Sequence, residues 1–374
     1  MEQRLWREFN SPLLGCVLAL LCISLLSVYS ATLNALTDYG RPLSILFPRH
    51  ITNIVVGLVA LVVMTLLDYR LFASLSHFLY IGAVAVLGIV LVAGRVTEGA
   101  QSWLALGTRT IQPAELGKLL VIIALAAYWS QLEDQRERWL VQLGGLALAA
   151  IPMLLVLIQP DFGTAIVFGM IWMVMALGAG IRWQQLLILA LLAIPVGYVG
   201  WEKVLNSEQQ SRILTFYWML TDPSRADPDE SYNIQQSLNA ISAGGLFGAG
   251  WTNGVFSQNN YVPVQYSDFI FAVVGEELGF AGGTVLLMFQ AFVLWIALSI
   301  AARARDAFGR LIALGVFGMI LSHTLVNVGM AMGLMPVTGI PLPFISYGGS
   351  FTITTLAAVG LLESIAMRWR KISF

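Results

Sequence analysis

The run 269-FIFAVVGEELGFAGGTVLLMFQAFVLWIALS-299 decides the fold class. A helix that crosses a bilayer needs about twenty predominantly apolar residues. This run exceeds that length with only Glu276 and Glu277 charged. Immediately before it, Ser267-Asp268 closes a long polar segment. One carboxylate therefore stands at the edge of the apolar run and two more lie deeper, and each needs a physical reason.

Nine further runs of spanning length fall near 12–33, 49–67, 72–94, 114–131, 140–158, 162–180, 184–202, 311–335 and 350–368. With 269–299 they predict an all-α polytopic membrane protein of ten transmembrane helices, a single transmembrane domain over 1–374. The composition agrees: 58% of residues are hydrophobic and 11% charged, where soluble domains average about 25% charged. A net charge of −1 with no block of like charges gives no basis for nucleic-acid binding. No internal repeat or inverted symmetry is evident, which weakens a repeat-built transporter.

The only cysteines, Cys16 and Cys22, share the first span. Six helical residues separate them by roughly 120° around the axis, so a disulfide is not expected. The N-terminus lacks a small-x-small cleavage site and is read as uncleaved, with Leu5, Trp6 and Phe9 forming a short interfacial anchor between arginines. Basic residues flanking short loops set orientation. With the N-terminus inside, twelve of the twenty Lys and Arg fall on the cytoplasmic side. Both termini are then cytoplasmic, and a large extracytoplasmic loop, about 203–268, joins helices 7 and 8. Such a length asks for function. Within the loop an amphipathic helix is expected near 231–243, capped by Asp229 or Ser231, with Ile234, Leu238 and Ile241 along one stripe. Its stripe would rest on the membrane or on the top of the bundle. A second conspicuous loop, 336-PVTGIPLPFISYGGS-350, is too rich in proline and glycine for regular helix, and its Ser346-Tyr347-Gly348-Gly349-Ser350 stretch is read as offering approachable amides.

Charged groups at membrane depth cost a few kcal/mol each. Four places carry them, all on the predicted outer half. Glu115 and Lys118 are i, i+3 and can pair; they either neutralise one another for insertion or aim a lysine at a lipid phosphate. Asp161 either caps the helix starting at Phe162 or meets a cation or sugar hydroxyl. Arg109 and Arg212 either snorkel or grip pyrophosphate through their planar donors. Asp268, at the rim, either caps a helix or exchanges protons. Glu276 and Glu277 lie deeper, face different ways on a helix drawn from Asp268, and are read as structural supports pairing with other spans. His323 reads as a hydrogen-bonded packing residue, and no metal constellation of the HExxH type exists. Two classes remain open at this level: an enzyme acting on a lipid-linked substrate, or a transporter that moves one.

Taken in order, five motifs resemble the SEDS family (shape, elongation, division and sporulation) over essentially the whole chain. They are Gln112-Pro113-Ala114-Glu115 with Lys118, Gln159-Pro160-Asp161-Phe162-Gly163-Thr164, Ile234-Gln235-Gln236-Ser237 followed by Gly244-Gly245, Ser267-Asp268-Phe269-Ile270-Phe271-Ala272-Val273 with Glu276-Glu277-Leu278-Gly279, and Pro341-Leu342-Pro343-Phe344-Ile345-Ser346-Tyr347-Gly348-Gly349-Ser350. Pro341 and the short termini resemble the elongation subfamily (RodA), whereas Gly275-Glu276-Glu277 is the version common in the division subfamily (FtsW). Many members have His-Thr before the key aspartate; this chain has Tyr266-Ser267, so any role of that histidine does not carry over.

The resemblance implies a peptidoglycan glycosyltransferase of the bacterial cytoplasmic membrane, its active site facing outward. It would polymerise lipid II for cell elongation and rod shape, releasing undecaprenyl pyrophosphate. It would work with a class B penicillin-binding protein that crosslinks the glycan. Asp268 would be the catalytic base. Lys118, Glu115, Arg109, Arg212, Asp161, Ser346, Tyr347 and Gly348 would bind substrate, with a divalent cation, Mg or Mn, sharing the charge and no organic cofactor. Rival readings are a lipid II flippase and a scaffold that activates its penicillin-binding partner.

Overall fold

The computed structural model describes residues 8–34, 43–97, 100–106, 109–203, 205 and 207–368, with the backbone alone described at 43, 95–97, 100–101, 105–106, 109, 208 and 230. The interfacial anchor expected at the N-terminus falls mainly on residues outside that set. The long helices are α1 (Ser11–Leu33), α2 (Leu46–Leu66), α3 (Leu71–Ala93), α4 (Pro113–Gln131), α5 (Trp139–Ile158), α6 (Phe162–Gly178) and α7 (Trp183–Lys203). They are followed, after a polar segment, by α11 (Ile270–Arg303), α12 (Ala307–Ala331) and α13 (Gly349–Met367). Among the described residues nine helices have the length and apolar character to cross a membrane; the expected span 162–180 is the shorter, 17-residue α6.

Local chemistry explains the helix starts. Asn10 accepts from the Leu13 amide at the head of α1, and Asp306 accepts from Gly309 N at the head of α12. Pro113 opens α4, where a missing N–H costs nothing. The centre of the bundle is α4, α12 and α13, the three helices with the most buried apolar windows. α13 lies against α2 so closely that a Cβ on Gly360 would stand 2.2 Å from the Leu61 carbonyl oxygen. Only a glycine permits that approach. α7 is the opposite case, apolar all round and largely outside the bundle.

Successive spans alternate ends. At one end, Arg70 pairs with Asp306 at 3.4 Å, Arg310 with Glu133 at 3.0 Å, Arg368 with Asp68 at 3.6 Å, and Arg182 with Glu137. The opposite end carries a three-stranded antiparallel sheet, β1 (Arg95–Thr97), β2 (Ala100–Leu106) and β3 (Arg109–Ile111), in the order β1-β2-β3. It also carries α8 (Ser207–Thr221), α9 (Pro228–Ala243) and the short α10 (Val255–Gln258). The strands and α8 were not anticipated. The amphipathic helix is α9. Its cap is Asp227, whose carboxylate accepts from Asp229 N at 3.0 Å, rather than Asp229 or Ser231. Its buried positions are Ile234, Ser237 and Ala240, with Leu238 and Ile241 only half-buried. The stripe rests on the bundle, against α11 and α12, with the Ser237 hydroxyl donating to the Ala331 carbonyl at 2.7 Å.

The 269–299 run corrects the simplest expectation. α11 is two helices joined at Gly279, whose φ of 67° and ψ of −167° are not helical. The groups freed by the break find partners in the 244–250 segment. Ala249 N donates to Glu276 O at 2.9 Å and Gly250 N to Glu277 O at 3.1 Å. Phe280 N donates to Gly245 O at 2.9 Å and Ala281 N to Leu246 O at 3.0 Å. Broken backbone at this depth survives only when its polar groups are met inside the protein.

Candidate active site

Asp268 lies two residues before α11, half-buried, in a run of turns. The N-cap position belongs to Phe269, so the plain reading of Asp268 as a helix cap is not realised. One carboxylate oxygen, Oδ1, accepts from the Ser267 hydroxyl at 2.9 Å. The other, Oδ2, lies over Gly339, 3.4 Å from where a Cβ would stand on that residue.

The loop 336–348 forms the floor beneath Asp268, and its composition explains why the spans carry buried polar side chains. Pro341 and Pro343 have no N–H, so the loop is rich in acceptors and poor in donors. The spans supply what is missing. Asn327 Nδ2 donates to Ile340 O at 2.7 Å, and Gln290 Nε2 to Pro343 O at 2.6 Å. His323 Nδ1 meets Pro341 O at 3.1 Å, and the Ser24 hydroxyl donates to Ile345 O at 2.7 Å. Ser24 also lies 2.8 Å from His50 Nε2, which must donate because the Ser24 proton is already committed. The loop closes on itself through Ser346, whose hydroxyl accepts from Leu342 N and donates to Ser267 O at 2.6 Å.

That closure overturns one expectation. The amides of Ile345 and Ser346 donate to Leu342 O, and Tyr347 N donates to Tyr266 O at 2.9 Å. The Ser346 and Tyr347 amides are thus committed to internal acceptors and are not offered to a ligand. The Ser346 hydroxyl is likewise spent, between the Leu342 amide and the Ser267 carbonyl. Tyr347 instead presents a half-buried ring edge-on to Tyr266, beside Gly348 at the head of α13.

Glu115 and Lys118 are brought together, their ion pair 2.9 Å long and almost wholly buried. Lys118 Nζ also lies 2.8 Å from His323 Nε2 and 5.7 Å from the centre of the Phe351 ring. Pro341 O can only accept, so His323 carries its proton on Nδ1 and turns the Nε2 lone pair to the ammonium. His323, read from sequence as a packing residue, is therefore the link between the lysine and the proline loop. Lys118 has no exposed surface in this arrangement. The pair forms the inner wall of the site rather than an open contact.

Asp161 caps α6 by accepting from Thr164 N at 3.0 Å, and its other oxygen takes a bond from Gln112 Nε2 at 2.8 Å. Gln112 N in turn donates to the Ser350 hydroxyl at 3.0 Å, tying α4, α6 and α13. Arg212 is half-buried on α8, whose neighbours are the 223–225 turn and α9. Arg109 opens β3 opposite Leu106, and its side chain lies outside the described residues. Among the described residues no three His, Cys, Asp or Glu side chains converge. With Asp161 and Glu115 already engaged, these residues do not fit a protein-built cage for a divalent cation.

Glu276 and Glu277 both serve the segment 254–258. Glu276 accepts from Phe256 N at 2.7 Å and from Ser257 N at 2.9 Å, capping α10 from a distance. Glu277 accepts from Ser30 on α1 and from Gln258 Nε2 at 3.2 Å. Glu277 thus meets a buried donor on another span, as expected, while Glu276 serves the 254–258 segment alone.

Comparison with known proteins adds the following. Residues 11–371 match the family model FTSW_RODA_SPOVE, described as cell cycle protein. The peptidoglycan glycosyltransferase MrdB of Escherichia coli is 35% identical over 367 residues, covering 98% of this chain and 95% of that protein. A chain of a solved peptidoglycan synthase complex, which coordinates polymerization and crosslinking, superposes with a TM-score of 0.78 at 30% identity, covering 96% of this chain and 97% of that one. The rod shape determining protein RodA of Thermus thermophilus superposes with a TM-score of 0.69 at 27% identity, covering 96% of each.

Proposed function

Because this chain belongs to the FtsW/RodA/SpoVE family of cell cycle proteins, we propose that it is a peptidoglycan glycosyltransferase, polymerising lipid II into glycan strands for cell elongation. The observation that carries the reading is Asp268: a half-buried carboxylate held beside the helix end without being spent as its cap, over a rigid loop. Deprotonating a sugar hydroxyl asks for a carboxylate within hydrogen-bond reach of it.

In the reaction the acceptor's C4 hydroxyl attacks the anomeric carbon of the donor and gives its proton to Asp268. The bond from that carbon to the pyrophosphate oxygen breaks, and its electron pair leaves with undecaprenyl pyrophosphate. An α-linked donor giving a β-linked product is a single inverting displacement. The departing group needs charge stabilisation more than a proton. Arg212 and Arg109, from the segments on the same end of the bundle, are the donors proposed for it. Lys118 contributes from behind, as a charge held in a low-dielectric wall.

The excess of basic residues at the opposite end supports cytoplasmic termini and an outward-facing site. A class B penicillin-binding protein is the proposed partner, a reading supported by the similarity to a synthase complex. The flippase reading is less favoured, since among the described ion pairs the almost wholly buried one, Glu115–Lys118, lies toward the Asp268 end while those at the far end keep exposed surface. The test is polymerisation of purified lipid II by the full chain, with and without the partner. Asp268→Ala is expected to abolish glycan synthesis while the protein folds and binds its partner; full synthesis by that variant would sink the assignment.

A further inference from the structure

Asn327 is wholly buried on α12, one turn from His323. Its side-chain amide faces two backbone carbonyls, Asp268 O at 2.8 Å and Ile340 O at 2.7 Å. Both neighbours can only accept, so the NH2 group must point at them, one hydrogen to each. The two carbonyls belong to the two segments whose relative placement matters most. One is the residue that carries the carboxylate. The other adjoins Gly339, over which Asp268 Oδ2 lies. The same turn of α12 reaches Pro341 O and Lys118 through His323.

We infer that Asn327 is a positioning residue for the reaction: one buried amide clamps the Asp268 segment to the proline loop and so fixes where the carboxylate stands relative to the Lys118 wall. The inference rests on the reading of Asp268 as the base. It is not a contact with substrate, because Asn327 reaches the reacting atoms only through the backbone of residue 268. Asn327→Asp keeps the shape of the side chain and replaces both donors with acceptors, turning two attractions into two repulsions. Asn327→Leu removes the polarity altogether. Asn327→Gln keeps the donor pair but sets it one methylene too far along.

The experiment measures kcat and KM for lipid II polymerisation by the full chain, normalised to folded protein, together with the melting temperature. Asn327→Asp and Asn327→Leu are expected to lower kcat by about 100-fold, the loss that a displacement of roughly 1 Å produces at a reacting centre, with KM within about twofold of wild type. Asn327→Gln is expected to fold normally and lose about tenfold in kcat. A purely structural role would instead lower the melting temperature and the folded fraction while leaving kcat per folded molecule unchanged, and that result overturns the inference. If the aspartate and leucine variants do not fold, the glutamine variant decides: wild-type kcat overturns the inference. Asp268→Ala is run alongside. Activity in Asp268→Ala would remove the base reading itself, whereas an inactive Asp268→Ala beside a fully active Asn327→Asp removes only the role of Asn327.

Discussion

Replacing Gly279 with alanine tests how the break in α11 is held. The backbone there has φ 67° and ψ −167°, a region that residues with a Cβ essentially do not occupy, at a cost of about 1–3 kcal/mol. The added Cβ would also stand 2.3 Å from Gly248 N and 2.7 Å from the carbonyl carbons of Leu246 and Phe247. All three are backbone atoms, so no side chain can swing away to relieve the contact. If the 244–250 segment withdraws, the four backbone hydrogen bonds that close the break are lost, at about 0.5–1.5 kcal/mol each or roughly 2–6 in all. The total is about 3–9 kcal/mol, against a typical stability of about 5–15. Unfolding in detergent, followed by tryptophan fluorescence, should show a large loss for Gly279→Ala. Gly15→Ala on α1, where a Cβ meets nothing within 4 Å, should be neutral or stabilising by up to about 1 kcal/mol. Lipid II polymerisation should fall with Gly279→Ala as well, because Asp268 is carried by the half-helix that ends at the break. Equal melting of the two variants would refute the claim that the 244–250 segment clasps the break.

Removing Lys118 alone strands Glu115 in the bundle, so Lys118→Met should destabilise by about 3–5 kcal/mol, while Lys118→Met with Glu115→Gln should regain most of that loss; a single variant that unfolds like wild type would contradict the buried pair. Tyr69, at the opposite end, is buried and donates to Asp306 at 2.7 Å. Burial first, then that bond, pushes its pKa from 10.0 up to about 12. A proton held more tightly in the folded state adds stability that is complete below the unfolded pKa and is lost as pH rises through the folded one. Unfolding free energy should therefore decline between about pH 10 and pH 12, and Tyr69→Phe should remove that decline.

The spans were legible because membrane crossing imposes a length and a composition that need no knowledge of neighbours. α1 and α13, for example, are marked by apolar runs bounded by Asn10-Ser11-Pro12 and by Gly348-Gly349. Asp268 and the Glu115–Lys118 pair were legible because charge near lipid is costly enough to stand out. The break at Gly279 was not, since Leu278-Gly279-Phe280 looks like any glycine in a span. Its cause is the 244–250 segment, whose amides and carbonyls replace the helical bonds. The approachable amides expected from Ser346 onward failed at Ser346 and Tyr347 for a related reason: sequence shows which residues can bend, not which acceptors wait nearby. A usable signal for Asn327, Gln290 and Ser24 did exist. A buried loop with Pro341 and Pro343 lacks donors, and polar residues otherwise unexplained in the spans are where those donors must come from.

The carbonyls of that loop are shared among α1, α11 and α12, while Gln112 ties α4 to α6 and α13. A carrier that rocks one half of its bundle against the other would have to release the loop on every cycle. Orphaning four buried carbonyls costs about 1–3 kcal/mol each, or roughly 4–12 per stroke. The loop is thus a keystone that locks the helices at one spacing. Such a frame suits a site that waits for two sugars to arrive and be joined, and it resists the motion that carrying a lipid headgroup across the bilayer would demand.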